Sequence, residues 1–206
     1  MIHFQAEMQD LTKIEAALGM AKDKSKTVLR SAINQTAKET VSLLVDEAGK
    51  KYYVKNKSSI GKTLNRKKAT VGDLTAVITS TGKTTELYDF RVSPRSYSPK
   101  HRPAGGHTAN VKAGNPAKHL YLKPDASGDK YKAFIVKYKN GHKSVAQRVP
   151  GTEMESSSGR EAIKTLRSTS IPTMLGNEEG VYRVVNPKIQ DMLQKNIQEQ
   201  IQRFLK

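Results

Sequence analysis

Apolar residues recur at helical spacing near both ends of the chain and alternate in between, so the pattern predicts helix, then sheet, then helix. Leu11, Ile14 and Leu18 fall on one face of a first stretch that Asp10 can cap, with Gly19 weakening its end. Val28, Leu29, Ala32, Ile33, Ala37, Val41 and Leu44 then repeat at i, i+3 and i+4 with Lys, Asn, Gln and Glu between them. That stripe predicts a core helix packed on a sheet, with an inter-subunit helix as the alternative. From Ala69 the period shortens, and Val71, Leu74, Ala76, Ile78 and Thr79 among Thr and Gly predict a strand or hairpin ending near Gly82. Leu87, Tyr88, Phe90 and Val92 form a further short extended segment before Pro94.

Residues 93–117 break the pattern with Pro94, Pro99, Pro103, Gly105, Gly106 and Gly114. An irregular stretch of that length inside a compact domain is uncommon and usually functional or disordered. It is also basic, through Arg95, Lys100, Arg102 and Lys112, and reads as a flexible arm that orders on a neighbour. Strands resume with alternating Leu120 and Leu122, and Tyr131–Tyr138 gives the strongest strand signal. The run Lys139-Asn140-Gly141-His142 predicts a hairpin, with φ > 0 at its tip, returning through Ser144–Val149. Residues 151–159 form a Ser-rich loop expected to be mobile, and Ile163, Leu166, Ile171, Pro172, Met174 and Leu175 a short apolar connection. Asn186-Pro187 marks the start of a final helix, a cap followed by proline in the first turn. Its face carries Ile189, Met192, Leu193, Ile197, Ile201, Phe204 and Leu205, which predicts a docked C-terminus. The fold class expected is α+β: long N-terminal helices, a small mostly antiparallel sheet with a long basic loop, and a C-terminal helix.

Charge changes the functional picture. Thirty-six Lys and Arg face nineteen Asp and Glu, a formal net charge of +17. A field of that size attracts nucleic acid or an acidic protein surface and opposes self-association away from a partner. The densest run is residues 50–68, where Lys50, Lys51, Lys55, Lys57, Lys62, Arg66, Lys67 and Lys68 occur without one acid and with Tyr52 and Tyr53 interleaved. Ser58 can cap a short helix there through Ile60 and Leu64. The run reads equally as a phosphate-facing patch with tyrosines available for stacking and as a solvated face. With Arg95, Lys100 and Arg102 it supplies the candidate DNA or partner contacts.

The 206 residues suit one domain spanning 1–206, and the apolar fraction of 36% predicts a modest core. No apolar run reaches the length of a membrane span, the N-terminus has no signal-peptide pattern, and zero cysteines suit a reducing cytoplasm. Catalytic signals are weak. His3, His101, His107, His119 and His142 show no metal-ligand spacing and read as surface or phosphate-contacting imidazoles. Gly61-Lys62-Thr63 and Gly82-Lys83-Thr84 both end like a phosphate loop, but the first glycine of the pattern would fall at Asn56 and at Val77. No catalytic residue, cofactor or metal site is assigned.

A resemblance supplies what composition does not. Ala133-Phe134-Ile135-Val136, the hairpin Asn140-Gly141-His142-Lys143 and the strand Val145-Ala146-Gln147-Arg148-Val149 come first. Gly159-Arg160, Ile163-Lys164-Thr165-Leu166 and Ser170-Ile171-Pro172-Thr173-Met174-Leu175 follow in order. Together these resemble the prophage minor tail protein Z family, tail-completion proteins of long-tailed phages. The helix with Ala32, Ile33, Asn34, Thr36 and Ala37, and the segment Leu87-Tyr88-Asp89-Phe90, extend the resemblance over most of the chain. It implies a virion protein at the head-proximal end of the tail, made in the host cytoplasm and acting in tail completion and head–tail joining. Several copies would stand in a ring around the tail axis, touching the tail terminator or tube, the head connector and, as a further contact, packaged DNA. The competing expectations are a non-virion nucleic-acid-binding protein using the patch 50–68 and, last, an enzyme.

Overall fold

The computed structural model describes residues 2–5, 8–98, 103, 106–120, 132–155, 159–176 and 180–206. The chain forms two compact units, one of Met1–Ala48, Lys57–Gly82 and Ile171–Lys206, the other of Gly49–Asn56 and Lys83–Ser170. Small antiparallel sheets, long N-terminal helices and a C-terminal helix make the class α+β.

The first unit contains the helices α1 (Met8–Leu18), α2 (Ser25–Lys51, up to its last turn), α3 (Lys57–Gly61), α4 (Ile171–Gly176) and α5 (Val181–Leu205). Its sheet has strands β1 (Ile2–Gln5), β2 (Leu64–Lys67) and β3 (Thr75–Ser80) in the order β1-β3-β2, all antiparallel. The stripe expected on α2 is the core. Val28, Leu29, Ala32, Ile33, Ala37 and Leu44 are all buried, and Ala76 and Ile78 bury the facing side of β3. Leu44, Leu64, Ile78 and Leu175 line one small apolar cavity of about 120 Å³, so α2, the sheet and α4 share that core.

Four expectations for this unit need correction. Helix α1 already begins at Met8, so Asp10 lies in its first turn instead of capping it; there it is buried and accepts a 2.8 Å hydrogen bond from Gln194 of α5. Ser58 likewise lies inside α3, which ends at Gly61, and Leu64 opens strand β2. Helix α5 starts at Val181, with Pro187 in its interior. Val181 and Val185 extend the buried face of Ile189, Leu193 and Ile197 by two further turns. Burying each valine contributes roughly 1.5–3 kcal/mol, which together is enough to offset the ~3 kcal/mol cost of an interior proline. At its other end α5 is not docked, since Phe204 and Leu205 are 42% and 60% exposed.

A polar layer fixes the pairing of the two long helices. Asn196 of α5, 1% exposed, donates to Thr36 Oγ1 and to Glu39 Oε2, each at 2.9 Å. Gln200 donates to Gln35 at 2.9 Å, and Lys188 approaches Glu47 at 3.6 Å. Rising numbers on α2 thus meet falling numbers on α5, and the helices run antiparallel. Thr36 returns its own hydroxyl proton to the Ala32 carbonyl one turn back. Thr40, fully buried one turn further on, has no partner for its hydroxyl among the described residues. An unsatisfied buried hydroxyl costs about 1–3 kcal/mol, so Thr40→Val is expected to stabilise the chain by about that amount in urea unfolding.

In the second unit, β4 (Thr84–Glu86) pairs with β11 (Arg167–Ser170). A second sheet has the order β5-β6-β7, from Arg91–Ser93, Thr108–Asn110 and Lys118–His119; a third has β10-β9-β8, from Ile163–Thr165, Lys143–Arg148 and Phe134–Lys137. Strand β9 is central and buried on both faces from Ser144 to Gln147. Val92, Ala109, Ala133 and Val145 form the core, with Leu87, Tyr88, Leu120 and Leu166 packed on it. The expected hairpin is present as a three-residue loop. Tyr138 N–H donates to the His142 carbonyl, Gly141 N–H donates to the Tyr138 carbonyl, and Gly141 takes φ of 81°.

Two stretches differ from the pattern reading. The extended segment from Leu87 to Val92 is interrupted by a 3₁₀ turn at Leu87–Asp89, closed by Phe90 N–H donating to the Leu87 carbonyl. Within 93–117, residues 108–110 are a strand where irregular chain is expected. The strand period was hidden because only Ala109 of its three residues is apolar. Beyond it, Tyr53 N–H donates to the Val111 carbonyl and Ala113 N–H to the Lys51 carbonyl, tying 111–113 to 51–53. Residues 99–102, 104–105, 121–131 and 156–158 lie outside the described residues, and with them part of the arm, of the Leu120–Leu122 alternation and of the Ser-rich loop.

Candidate functional site

The basic run 50–68 is divided between the two units. Lys50, Lys51 and Lys55 belong to the second unit, while Lys57, Lys62, Arg66, Lys67 and Lys68 belong to the first. Three cations of the second unit engage its own groups. Arg95 donates to the Phe90 carbonyl at 2.8 Å and to the Tyr88 carbonyl, and its guanidinium stacks 4.3 Å from the Tyr88 ring centroid. Lys55 lies 5.8 Å from the same ring centroid, and Arg91 lies 5.2 Å from that of Tyr53. Tyr52 is buried, which pushes its phenol pKa up and removes it as a stacking surface, whereas Tyr53 is half-buried. Lys100 and Arg102 lie outside the described residues.

Of the two histidine side chains among the described residues, His142 is exposed as expected and His107 is not. His107 is 3% exposed, with Nδ1 2.8 Å from the Pro94 carbonyl oxygen. His142 Nε2 meets Glu86 Oε2 at 3.1 Å, and its ring stacks on Tyr138 at a centroid distance of 5.7 Å. His101 and the side chains of His3 and His119 lie outside the described residues. Among the described residues no group of three His, Cys, Asp or Glu could hold a metal ion. The two Gly-Lys-Thr runs sit at the end of α3 and between β3 and β4, without the strand–loop–helix frame a phosphate loop needs. A concavity of about 340 Å³ in the second unit is lined by Tyr97, His107, Phe134, Arg148 and Arg160. Its Arg148 is already engaged, donating to the Glu161 carbonyl.

A larger concavity lies in the first unit. It is an open groove of about 1110 Å³ lined by α2, α5 and the segment 66–69. Local structure explains its charge. On β2, Leu64 and Arg66 share a face, and Arg66 pairs in register with buried Ile78. Leu64 lines the small apolar cavity, while Arg66 on the same side of the strand reaches the groove. The backbone after β2 is held against α2 by Asn34, whose amide donates to the Ala69 carbonyl at 3.0 Å and accepts from Ala69 N–H at 2.9 Å. That clamp places Lys68 at the groove wall. The six cations of the lining are Arg30, Lys38, Arg66, Lys68, Lys195 and Arg203, against the carboxylates Glu39 and Asp46.

Of the expected contact residues, the groove unites only Arg66 and Lys68. Lys67 points to the other side of β2 and pairs with Asp73 at 3.4 Å, both exposed. That carboxyl is held below its ordinary range, first by the Thr75 hydrogen bond and further by Lys67. Sequence reasoning passed over Arg30, Lys38, Lys195 and Arg203, because each stands singly on the polar side of a helix. A usable signal existed: 30, 34 and 38 on α2, and 195, 199 and 203 on α5, each recur at four-residue steps.

No family model matches the chain, and neither does any curated protein or solved structure. Among the described residues no helix is long and apolar enough to cross a membrane.

Proposed function

We propose that the protein is a structural component of a long-tailed phage virion, acting in tail completion and head–tail joining as one of several copies around the tail axis. The observation that carries this reading is the order of the resembling segments. Ala133–Val136, the Asn140–Lys143 turn, Val145–Val149, Ile163–Leu166 and Ile171–Leu175 fall on β8, its hairpin, β9, β10 and α4, and α5 follows. A scaffold of small sheets and long helices suits a part that packs between neighbours. Its net charge of +17 suits an acidic ring or packaged DNA beside it. The partners under this reading are the tail terminator or tube and the head connector, and the place is the head-proximal end of the tail. Immunogold labelling of gradient-purified virions tests it. Label at the head–tail junction supports the reading, while virions that lack the protein by mass spectrometry overturn it.

A further inference from the structure

The groove of the first unit carries an inference that does not depend on the tail-completion reading. We propose that it binds the sugar–phosphate backbone of duplex nucleic acid, without regard to base sequence. Arg30 and Lys38 stand eight residues apart on α2, about 12 Å along the axis at 1.5 Å per residue. Lys195 and Arg203 repeat that spacing on α5. The helices are antiparallel, with Gln35 beside Gln200 and Glu39 beside Asn196, so Arg30 and Arg203 mark one end of the groove and Lys38 and Lys195 the other. One strand of a duplex presents a phosphate every ~3.4 Å of axis, so a 12 Å length faces about three or four phosphates. Arg66 and Lys68 add two donors from the wall.

These charges are available. Among the described residues Arg30, Lys38, Arg66, Lys68 and Arg203 have no carboxylate at ion-pair distance, and Lys195 reaches only Glu199, at 3.8 Å. Of the two acids in the lining, Glu39 already accepts from Asn196 and Gln35. Asp46 lies a further ~12 Å along α2 beyond Lys38. The lining also separates this occupant from others. Base stacking by single strands needs aromatic platforms, and no Tyr or Phe lines the groove. Docking of a protein segment rests on a few apolar or aromatic anchors in deep pockets, and here the apolar lining is only Leu43, Ala69 and Met192 in an open trough. Arginine forks with scattered lysines and no stacking surface match phosphate oxygens.

Fluorescence anisotropy of a random-sequence 20-base-pair duplex with the full chain tests the proposal across a salt series. Each phosphate contact contributes about 0.9 to the slope of log K against log salt, close to one decade of affinity at 0.1 M. The triple variant Arg30→Gln, Arg66→Gln, Arg203→Gln is expected to bind about 500-fold more weakly at 0.1 M salt and to lose about 2.7 from the slope. The exposed pair Lys38→Gln, Lys68→Gln checks the result without touching a half-buried side chain; it should lose about 60-fold and about 1.8 in slope. A control of equal charge, Lys118→Gln, Lys137→Gln, Lys139→Gln on exposed positions of the second unit, should change the slope by less than about one unit. Three results would overturn the proposal. They are groove variants that bind like the parent, a control that loses as much as the triple variant, or polyglutamate that displaces the duplex at lower charge concentration, which would assign the groove to an acidic protein.

Discussion

Replacing Phe90 by alanine is expected to lower stability by about 3–5 kcal/mol, the usual range for emptying a buried aromatic site. Phe90 is the bulkiest fully buried side chain among the described residues, at 0% exposure. It follows the 3₁₀ turn at Leu87–Asp89, and its carbonyl is held by Arg95 at 2.8 Å, so its backbone cannot easily shift to fill the space left behind. For a chain of this length 1 kcal/mol moves the melting temperature by about 2–4 °C, so the fall should be about 6–20 °C. A loss under 1 kcal/mol in urea unfolding would mean that the site collapses around the smaller side chain. Phe90→Leu should recover most of the deficit, because it restores apolar volume without asking anything of hydrogen bonding.

Asn196→Asp should cost about as much, through electrostatics instead of volume. The change removes two donated hydrogen bonds, to Thr36 and Glu39, and sets a second carboxylate at hydrogen-bond distance from the first. An uncompensated charge at a buried position typically costs about 3–5 kcal/mol. The penalty carries a sign that can be checked. Burial and the Glu39 carboxylate both raise the folded-state pKa of the new acid above its unfolded value. The loss is therefore full above that folded-state pKa and shrinks as the pH falls toward the unfolded value. Urea unfolding at pH 7 and pH 4.5 should show a smaller difference from the parent at the lower pH. A difference independent of pH would place the residue outside the α2–α5 seam.

Much of the fold was legible where one period dominates. The α2 stripe from Val28 to Leu44 reads as helix because its apolar residues cannot line one face at any other spacing, and all of them but half-buried Val41 are buried. The β8–β9 hairpin was legible from Asn140-Gly141, since the turn needs one residue at positive φ and glycine takes it without strain. The reading failed where tertiary contacts outweigh local signals. Asn186-Pro187 is a strong start signal, yet buried Val181 and Val185 carry α5 through it. Strand β2 was hidden inside a basic run, because Arg66 and Lys67 read as charge until pairing with Ile78 and Val77 makes them a strand edge.

The candidate site was less legible still, for a physical reason. A patch read from sequence assumes that neighbouring charges stay together, whereas a strand sends Arg66 and Lys67 to opposite faces. Arg95 shows the converse, since a cation in a basic, proline-rich stretch turns inward to hold the Tyr88 and Phe90 carbonyls. The groove gathers cations from positions 30 and 38, 66 and 68, and 195 and 203, which only the α2–α5 pairing and the Asn34–Ala69 clamp bring together. No linear run of charge contains that set.

The proposed role in joining heads to tails is open to electron microscopy of a lysate from a phage that encodes this chain, after deletion of its gene. If the proposed role holds, the deletion leaves DNA-filled heads lying beside separate, full-length tails, and joined particles return when the gene is supplied in trans. Normal, fully joined and infectious particles from the deletion would contradict it.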